Sequence, residues 1–105
     1  MNRVAFKMKL KKGFEEEYKK RHDEIWPELL ILIREQGISN YSIFFDEETG
    51  YLFGFQNVNG ESGSQDLGQN RVVQKWWDFM SDIMEVNDDN SPRTTSLKEV
   101  FYFNK

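Results

Sequence analysis

The sequence predicts an α+β domain of element order β-α-β-β-α-β, and three observations predict it. Four short stretches alternate or cluster β-branched and aromatic residues, two longer stretches carry helical apolar stripes, and turn-forming residues stand at the joints. At 105 residues the chain reads as a single domain over 1–105, long enough to bury one core.

From Arg3 to Lys11 the residues alternate, with Val4, Phe6, Met8 and Leu10 on one side and mainly basic residues on the other. This period of two is that of a strand. After Gly13, the positions Phe14, Tyr18, Ile25, Leu29 and Ile33 fall at helical spacing, so the stretch to about Gln36 reads as one amphipathic helix stopped by Gly37. Pro27 lacks an amide donor and crowds the carbonyl four residues back, which predicts a kink between Asp23 and Trp26.

Ile38 to Phe45 and Tyr51 to Val58 are strand-like runs joined by Asp46-Glu47-Glu48-Thr49-Gly50, a turn of hairpin length. Residues 59–70 are polar and carry Gly60, Gly63 and Gly68, the composition of a loop. From Arg71 to Met84 the apolar positions Val73, Trp76, Trp77, Met80, Ile83 and Met84 form a second helical stripe. Asn87 to Pro92 turns the chain, and Leu97 to Phe103 makes the fourth strand.

That order is the split βαβ, or ferredoxin-like, arrangement, in which a four-stranded antiparallel sheet carries both helices on one face. The other face would lie bare, yet the strands are apolar on both sides: Tyr41, Ile43 and Phe45 oppose Phe44, and Phe53 and Phe55 oppose Leu52. A second copy of the sheet is the simplest cover. The expectation is a homodimer, a dimeric α/β barrel, because symmetric homo-oligomers dominate among soluble assemblies.

The composition, 38% hydrophobic and 30% charged, is that of a folded globule. A net charge of −4 argues against a nucleic-acid partner, since phosphate binding needs clustered Lys and Arg. Without cysteine the chain has no disulfide, thiolate nucleophile or usual zinc framework. No apolar run is long enough to span a bilayer and none resembles a signal core, so the expectation is a cytoplasmic protein without a membrane partner.

His22 is the only histidine, and imidazole is the side chain whose ordinary pKa lies nearest neutrality. Most lone histidines are structural. This one follows Tyr18 by four residues, on the helix face that also carries Phe14, Ile25 and Leu29, so a titratable ring points inward. Trp76 and Trp77 are consecutive on the second helix, where neighbours diverge by about 100°, so one of them should line a cleft or an interface rather than the core. An indole or phenol ring with a few polar groups suits a sugar, which presents an apolar face and a rim of hydroxyls.

Other motifs carry less. Gly60, Gly63 and Gly68 lack dinucleotide-fingerprint spacing, and Asn87 to Asn90 lack the glycine and glutamate of a calcium loop. The acids at Glu15 to Glu17 and the bases at Lys19 to Arg21 form a solvated helix face. On residue chemistry alone three functions compete: an acid–base enzyme acting on a sugar, a haem-binding or quinol-oxidising monooxygenase with His22 as axial ligand, and a non-catalytic dimeric sugar-binding module.

The segment from Tyr18 through His22, Trp26-Pro27-Glu28 and Leu29, then Asn40-Tyr41, Lys75-Trp76-Trp77, Asn90-Ser91-Pro92 and Glu99 to Tyr102, resembles the L-rhamnose mutarotase family in order, spacing and length. Residues 59–70 depart from it, being richer in glycine and polar groups. The resemblance implies a dimeric ferredoxin-like fold and an isomerase that interconverts the anomers of L-rhamnose. It further implies His22 as proton donor, with Tyr18, Tyr41, Trp76 and Trp77 contacting the sugar, and no metal or organic cofactor. Which group takes the second proton is left open by the residues.

Overall fold

Residues 2–60 and 62–104 are described by a computed structural model. The elements are β1 (Asn2–Lys9), α1 (Glu15–Asp23), α2 (Pro27–Glu35), β2 (Ile38–Phe45), β3 (Tyr51–Val58), a 3-10 turn at Ser64–Asp66, α3 (Arg71–Met80) and β4 (Thr95–Leu97). The strands form one sheet in the order β2-β3-β1-β4, with every neighbouring pair antiparallel. The molecule is therefore α+β, with a four-stranded antiparallel sheet and three helices. None of the described helices is long and apolar enough to cross a membrane.

Phe6, Met8 and Leu10 alternate inward from β1 and its end, and Leu52 does so from β3. Tyr18, Leu29, Val73, Trp76, Trp77 and Met80 come down from the three helices into the same cluster. Burying each large apolar side chain of this kind contributes about 1.5–3 kcal/mol, so the helix-bearing face supplies most of the driving force for folding.

Three sequence expectations need correction. The single kinked helix is two helices, because Pro27 begins α2 rather than bending α1. Trp26, the residue before it, is extended (φ −61°, ψ 131°), as steric clash with a following proline ring demands, and Pro27 occupies the first helical position where its missing N–H is no loss. Gly37 does end α2, with φ +80° and its N–H on the Arg34 carbonyl.

The second predicted helix, to Met84, stops at Met80. Ile83 and Met84 are buried as the stripe requires, but the backbone there bonds to the end of β1: the Lys11 N–H donates to the Ile83 carbonyl at 2.9 Å and the Glu85 N–H to the Lys9 carbonyl at 3.0 Å. Periodicity registers burial and is blind to this competition. The fourth strand is Thr95–Leu97 instead of Leu97 to Phe103, pairing Leu97 with Ala5 and Thr95 with Lys7. Beyond it the chain is held by side chains, since the Arg3 guanidinium grips Glu99 through two 2.7 Å bonds and lies 3.4 Å over the Tyr102 ring. Val100, Phe101 and Phe103 are left exposed, with no neighbouring strand among the described residues.

Candidate active site

Between the helices and the sheet lies a cleft of about 910 Å³. Its wall includes His22, Tyr18, Tyr41, Trp76 and Trp77, so all five residues singled out in the sequence meet at one place although they come from three elements. The volume is at the upper end of ordinary small-molecule sites.

Helix α1 supplies Tyr18 and His22, four residues apart and therefore on one face. Their rings stack at 4.3 Å, and the His22 Nδ1 lies 3.0 Å from the Tyr18 carbonyl oxygen. A carbonyl only accepts, so Nδ1 carries the proton in that bond and Nε2 is the nitrogen left for chemistry. Arg21 pins this helix against the end of α3: it bonds Glu17 at 2.8 Å and Asp82 at 2.9 Å, donates to the Phe79 carbonyl, and lies over the Phe79 ring.

Helix α3 supplies the indoles. Trp76 meets the His22 ring edge-on at 5.5 Å and is braced by Trp26 at 5.0 Å. Trp77 packs against Gly68 of the 59–70 segment, where an added Cβ would stand 2.7 Å from the indole. Both tryptophans are buried and both line the cleft: they divide it, one on the histidine side and one on the loop side.

Tyr41 reaches the cleft through a bulge. The pairing of β2 with β3 shifts between Ser39 and Ser42, so that Asn40 and Tyr41 together oppose Gln56, and Asn40 has φ +50°. Ile38 faces the core before the bulge, and Tyr41, Ile43 and Phe45 face it after. Without the extra residue, strict alternation would put Tyr41 on the opposite face of the sheet. The signal was present in the sequence as a phase break between Ile38 and Tyr41 across an asparagine, the residue most tolerant of positive φ after glycine. Asn40→Val is expected to lose about 1–2 kcal/mol in a urea melt from left-handed strain, with Asn40→Gly close to the parent. Equal stability of the two variants would contradict this account.

A polar cluster behind Tyr41 was not singled out in the sequence. Gln56 is fully buried; its Oε1 accepts the Ser64 N–H at 2.7 Å and its Nε2 donates to the Ser64 Oγ at 2.8 Å. Ser64 Oγ in turn donates to the Tyr41 hydroxyl at 3.3 Å. Gly63 permits this approach, because a Cβ there would stand 2.7 Å from Gln56 Oε1. The loop glycines thus serve close packing around the site. The alternation of β3 does place Gln56 inward between Gly54 and Val58, and an inward glutamine needs polar partners; that was the available signal.

Burial sets the protonation states. It pushes the Tyr18 phenol far above its ordinary value, and it raises Tyr41 too, against the opposing pull of hydrogen bonds from Ser64 and Gln65. Both remain neutral hydroxyl donors at physiological pH. His22 moves down: loss of hydration outweighs its bond to the Tyr18 carbonyl and the attraction of Asp23. The site therefore rests as a neutral imidazole with a free Nε2, two protonated phenols and two indoles.

A neutral base and weak-acid hydroxyls in an aromatic-walled cleft, on a small α+β frame, are the parts of an isomerase that works by moving protons. A family model described as L-rhamnose mutarotase matches residues 3–103. Similar proteins include an L-rhamnose mutarotase from Formosa agariphila, 62% identical over 97% of this chain and 98% of its own length, and one from Bacteroides thetaiotaomicron, 61% identical over the same shares. The crystal structure of an L-rhamnose mutarotase from Formosa agariphila superimposes with a TM-score of 0.91 at 58% identity, covering 99% of this chain and 100% of that one. The chain belongs to the L-rhamnose mutarotase family.

Proposed function

We propose that this chain interconverts the α and β anomers of free L-rhamnose by acid–base ring opening and closure, with His22 as the proton-transfer residue and Tyr18, Tyr41, Trp76 and Trp77 holding the sugar. The observation that carries the residue assignment is the Nδ1 bond to the Tyr18 carbonyl, which fixes the tautomer and leaves Nε2 on the ring of a cleft-lining histidine. Family membership carries the substrate.

In the opening half, Nε2 takes the proton of the anomeric hydroxyl while a phenol of Tyr18 or Tyr41 passes its proton to the ring oxygen, which departs as a hydroxyl and leaves a phenolate. The exposed carbonyl carbon then turns about its bond to the neighbouring carbon. On reclosure the imidazolium returns its proton to the carbonyl oxygen, the donor role the family resemblance assigns to His22, while the attacking ring hydroxyl gives its proton back to the phenolate. A positioned acid or base contributes about 10²- to 10⁴-fold, and a reaction that water already performs slowly needs little more. NMR saturation transfer between anomeric protons tests the proposal: L-rhamnose anomers should exchange faster than in buffer, and no acceleration would sink it.

The arrangement is read as ferredoxin-like, one domain spanning the chain, and as half of a homodimer closed through the outer sheet face. Supporting this, Phe44 on that face and Val100, Phe101 and Phe103 in the tail are all exposed, beside half-buried Phe53 and Phe55. Large apolar side chains gathered on an exposed face mark association surfaces. Light scattering at micromolar concentration is expected to give twice the chain mass, and a stable monomer would refute the pairing.

A further inference from the structure

Resting on the mutarotase reading, proton transfer depends on how His22 of α1 stands against Trp76 of α3, and apolar packing does little to fix that relation. Helix α1 is nine residues long, ends before the extended Trp26, and buries one side chain, Tyr18, whose ring itself lines the cleft. Phe14, at its start, is exposed. A helix this short is held by tertiary contacts rather than by its own propensity, so another contact must seat it.

Arg21, the neighbour of His22, makes that contact. Consecutive helical residues diverge by about 100°, so while His22 faces the cleft Arg21 turns into a separate groove with Glu17, Trp26 and Phe79. Its side chain is only 11% exposed. Nε donates to Glu17 at 2.8 Å on the same helix, which holds the stem. Nη1 and Nη2 then reach across to the Asp82 carboxylate at 2.9 and 3.3 Å, and Nη1 donates to the Phe79 carbonyl at 2.8 Å. That carbonyl lies in the last turn of α3, where helix carbonyls lack an intrahelical donor and positive charge is favoured.

The same guanidinium lies 4.3 Å over the Phe79 ring, which packs on Trp76 at 5.6 Å and on Trp26 at 5.7 Å. The residue beside His22 is thus joined to the residue one turn beyond Trp76. Glu17 and Asp82 are well exposed, and an isolated pair with either would contribute little. A planar fork that engages two carboxylates, a carbonyl and a ring face at once fixes geometry instead, and a lysine ammonium cannot reproduce it.

We propose that Arg21 is a positioning residue for anomer exchange: by clamping α1 to the end of α3 it holds the His22 imidazole in register with a sugar bound against Trp76. It stands outside the cleft wall and acts through His22. Misplacing a reacting group by about 1 Å can cost about 100-fold in rate. Of the sugar-contacting residues, Tyr41, Trp76 and Trp77 stand on β2 and α3, so loosening α1 displaces the base more than it disturbs the binding surface.

The experiment measures anomer exchange by saturation transfer over a range of L-rhamnose concentrations for the parent, Arg21→Met, Arg21→Lys and Asp82→Ala, each well below its own melting temperature. Arg21→Met is expected to lower kcat by about tenfold to 100-fold while KM stays within about threefold. Arg21→Lys should lie nearer to Arg21→Met than to the parent, and Asp82→Ala should show a smaller loss of the same kind. A merely structural role would lower the melting temperature and leave kcat and KM of the folded protein at parent values, which overturns the proposal. So does a KM that rises as much as kcat falls, or an Arg21→Lys protein as active as the parent. If Arg21→Met does not fold, Asp82→Ala decides, since Asp82 is exposed enough to truncate: a parent-like kcat there overturns the clamp. All of these leave the mutarotase reading standing, whereas failure of the parent to exchange L-rhamnose anomers overturns both.

Discussion

His22→Asn is expected to remain folded and to slow catalysed anomer exchange by at least about 100-fold, the lower end of what a positioned acid or base contributes. That loss corresponds to about 2.7 kcal/mol of barrier. Asparagine is close in size and its amide N–H can still face the Tyr18 carbonyl, so the packing against Tyr18 and Trp76 changes little. What disappears is the Nε2 lone pair. No other titratable group that is buried in the cleft wall replaces it, because burial keeps Tyr18 and Tyr41 protonated, and a neutral phenol is a poor base. Saturation-transfer rates with the uncatalysed exchange subtracted give the measurement. A folded His22→Asn protein within about threefold of the parent would remove His22 from the reaction and shift attention to the two tyrosines.

The same residues explain how far sequence reasoning reached. His22 and Tyr18 were legible because a helix puts positions four apart on one face, and that rule survives even though the helix ends at Asp23 instead of running to Gln36. Trp76 and Trp77 were legible as an oddity, two large rings that diverge by about 100°, but only the fold reveals that the cleft is wide enough to touch both. Tyr41 was placed in the site by resemblance; its physical cause, the bulge at Asn40, shows in the sequence only as a slipped alternation. Ser64 and Gln65 were out of reach. A polar, glycine-containing loop has no periodicity, and what fixes this one is tertiary: the buried Gln56 amide eight residues back from Ser64. The tail failed for the opposite reason. Leu97 to Phe103 has the pattern of a strand, but a pattern records the wish for burial and not the partner, and beyond Leu97 the described chain provides no pairing.

The rate should be highest at neutral pH and above and should fall on acidification, approaching tenfold per unit once the pH is below the pKa of folded His22. Two influences on that pKa oppose each other. The carbonyl bond and Asp23 favour the charged ring, whereas burial favours the neutral one, and burial is the largest. The pKa of folded His22 therefore lies below the ordinary 6.5. At neutral pH the basic form that begins ring opening predominates, and acid removes it. If imidazolium were instead the form that begins the reaction, the rate would rise toward acid, so the slope decides which proton moves first. L-rhamnose has no group that titrates near neutrality, and the two phenols, both raised, add no loss until strongly alkaline pH. Stability carries the same sign. The unfolded chain binds the His22 proton first as pH falls, so the contribution of this site is fully present above 6.5 and is lost as pH falls through the folded pKa, with a slope of at most about 1.4 kcal/mol per unit. Urea melts of the parent and of His22→Asn across pH 5 to 8 isolate it as their difference. Parallel stability profiles together with an activity that climbs as pH drops would show that His22 rests charged, and the neutral-base mechanism would have to be given up.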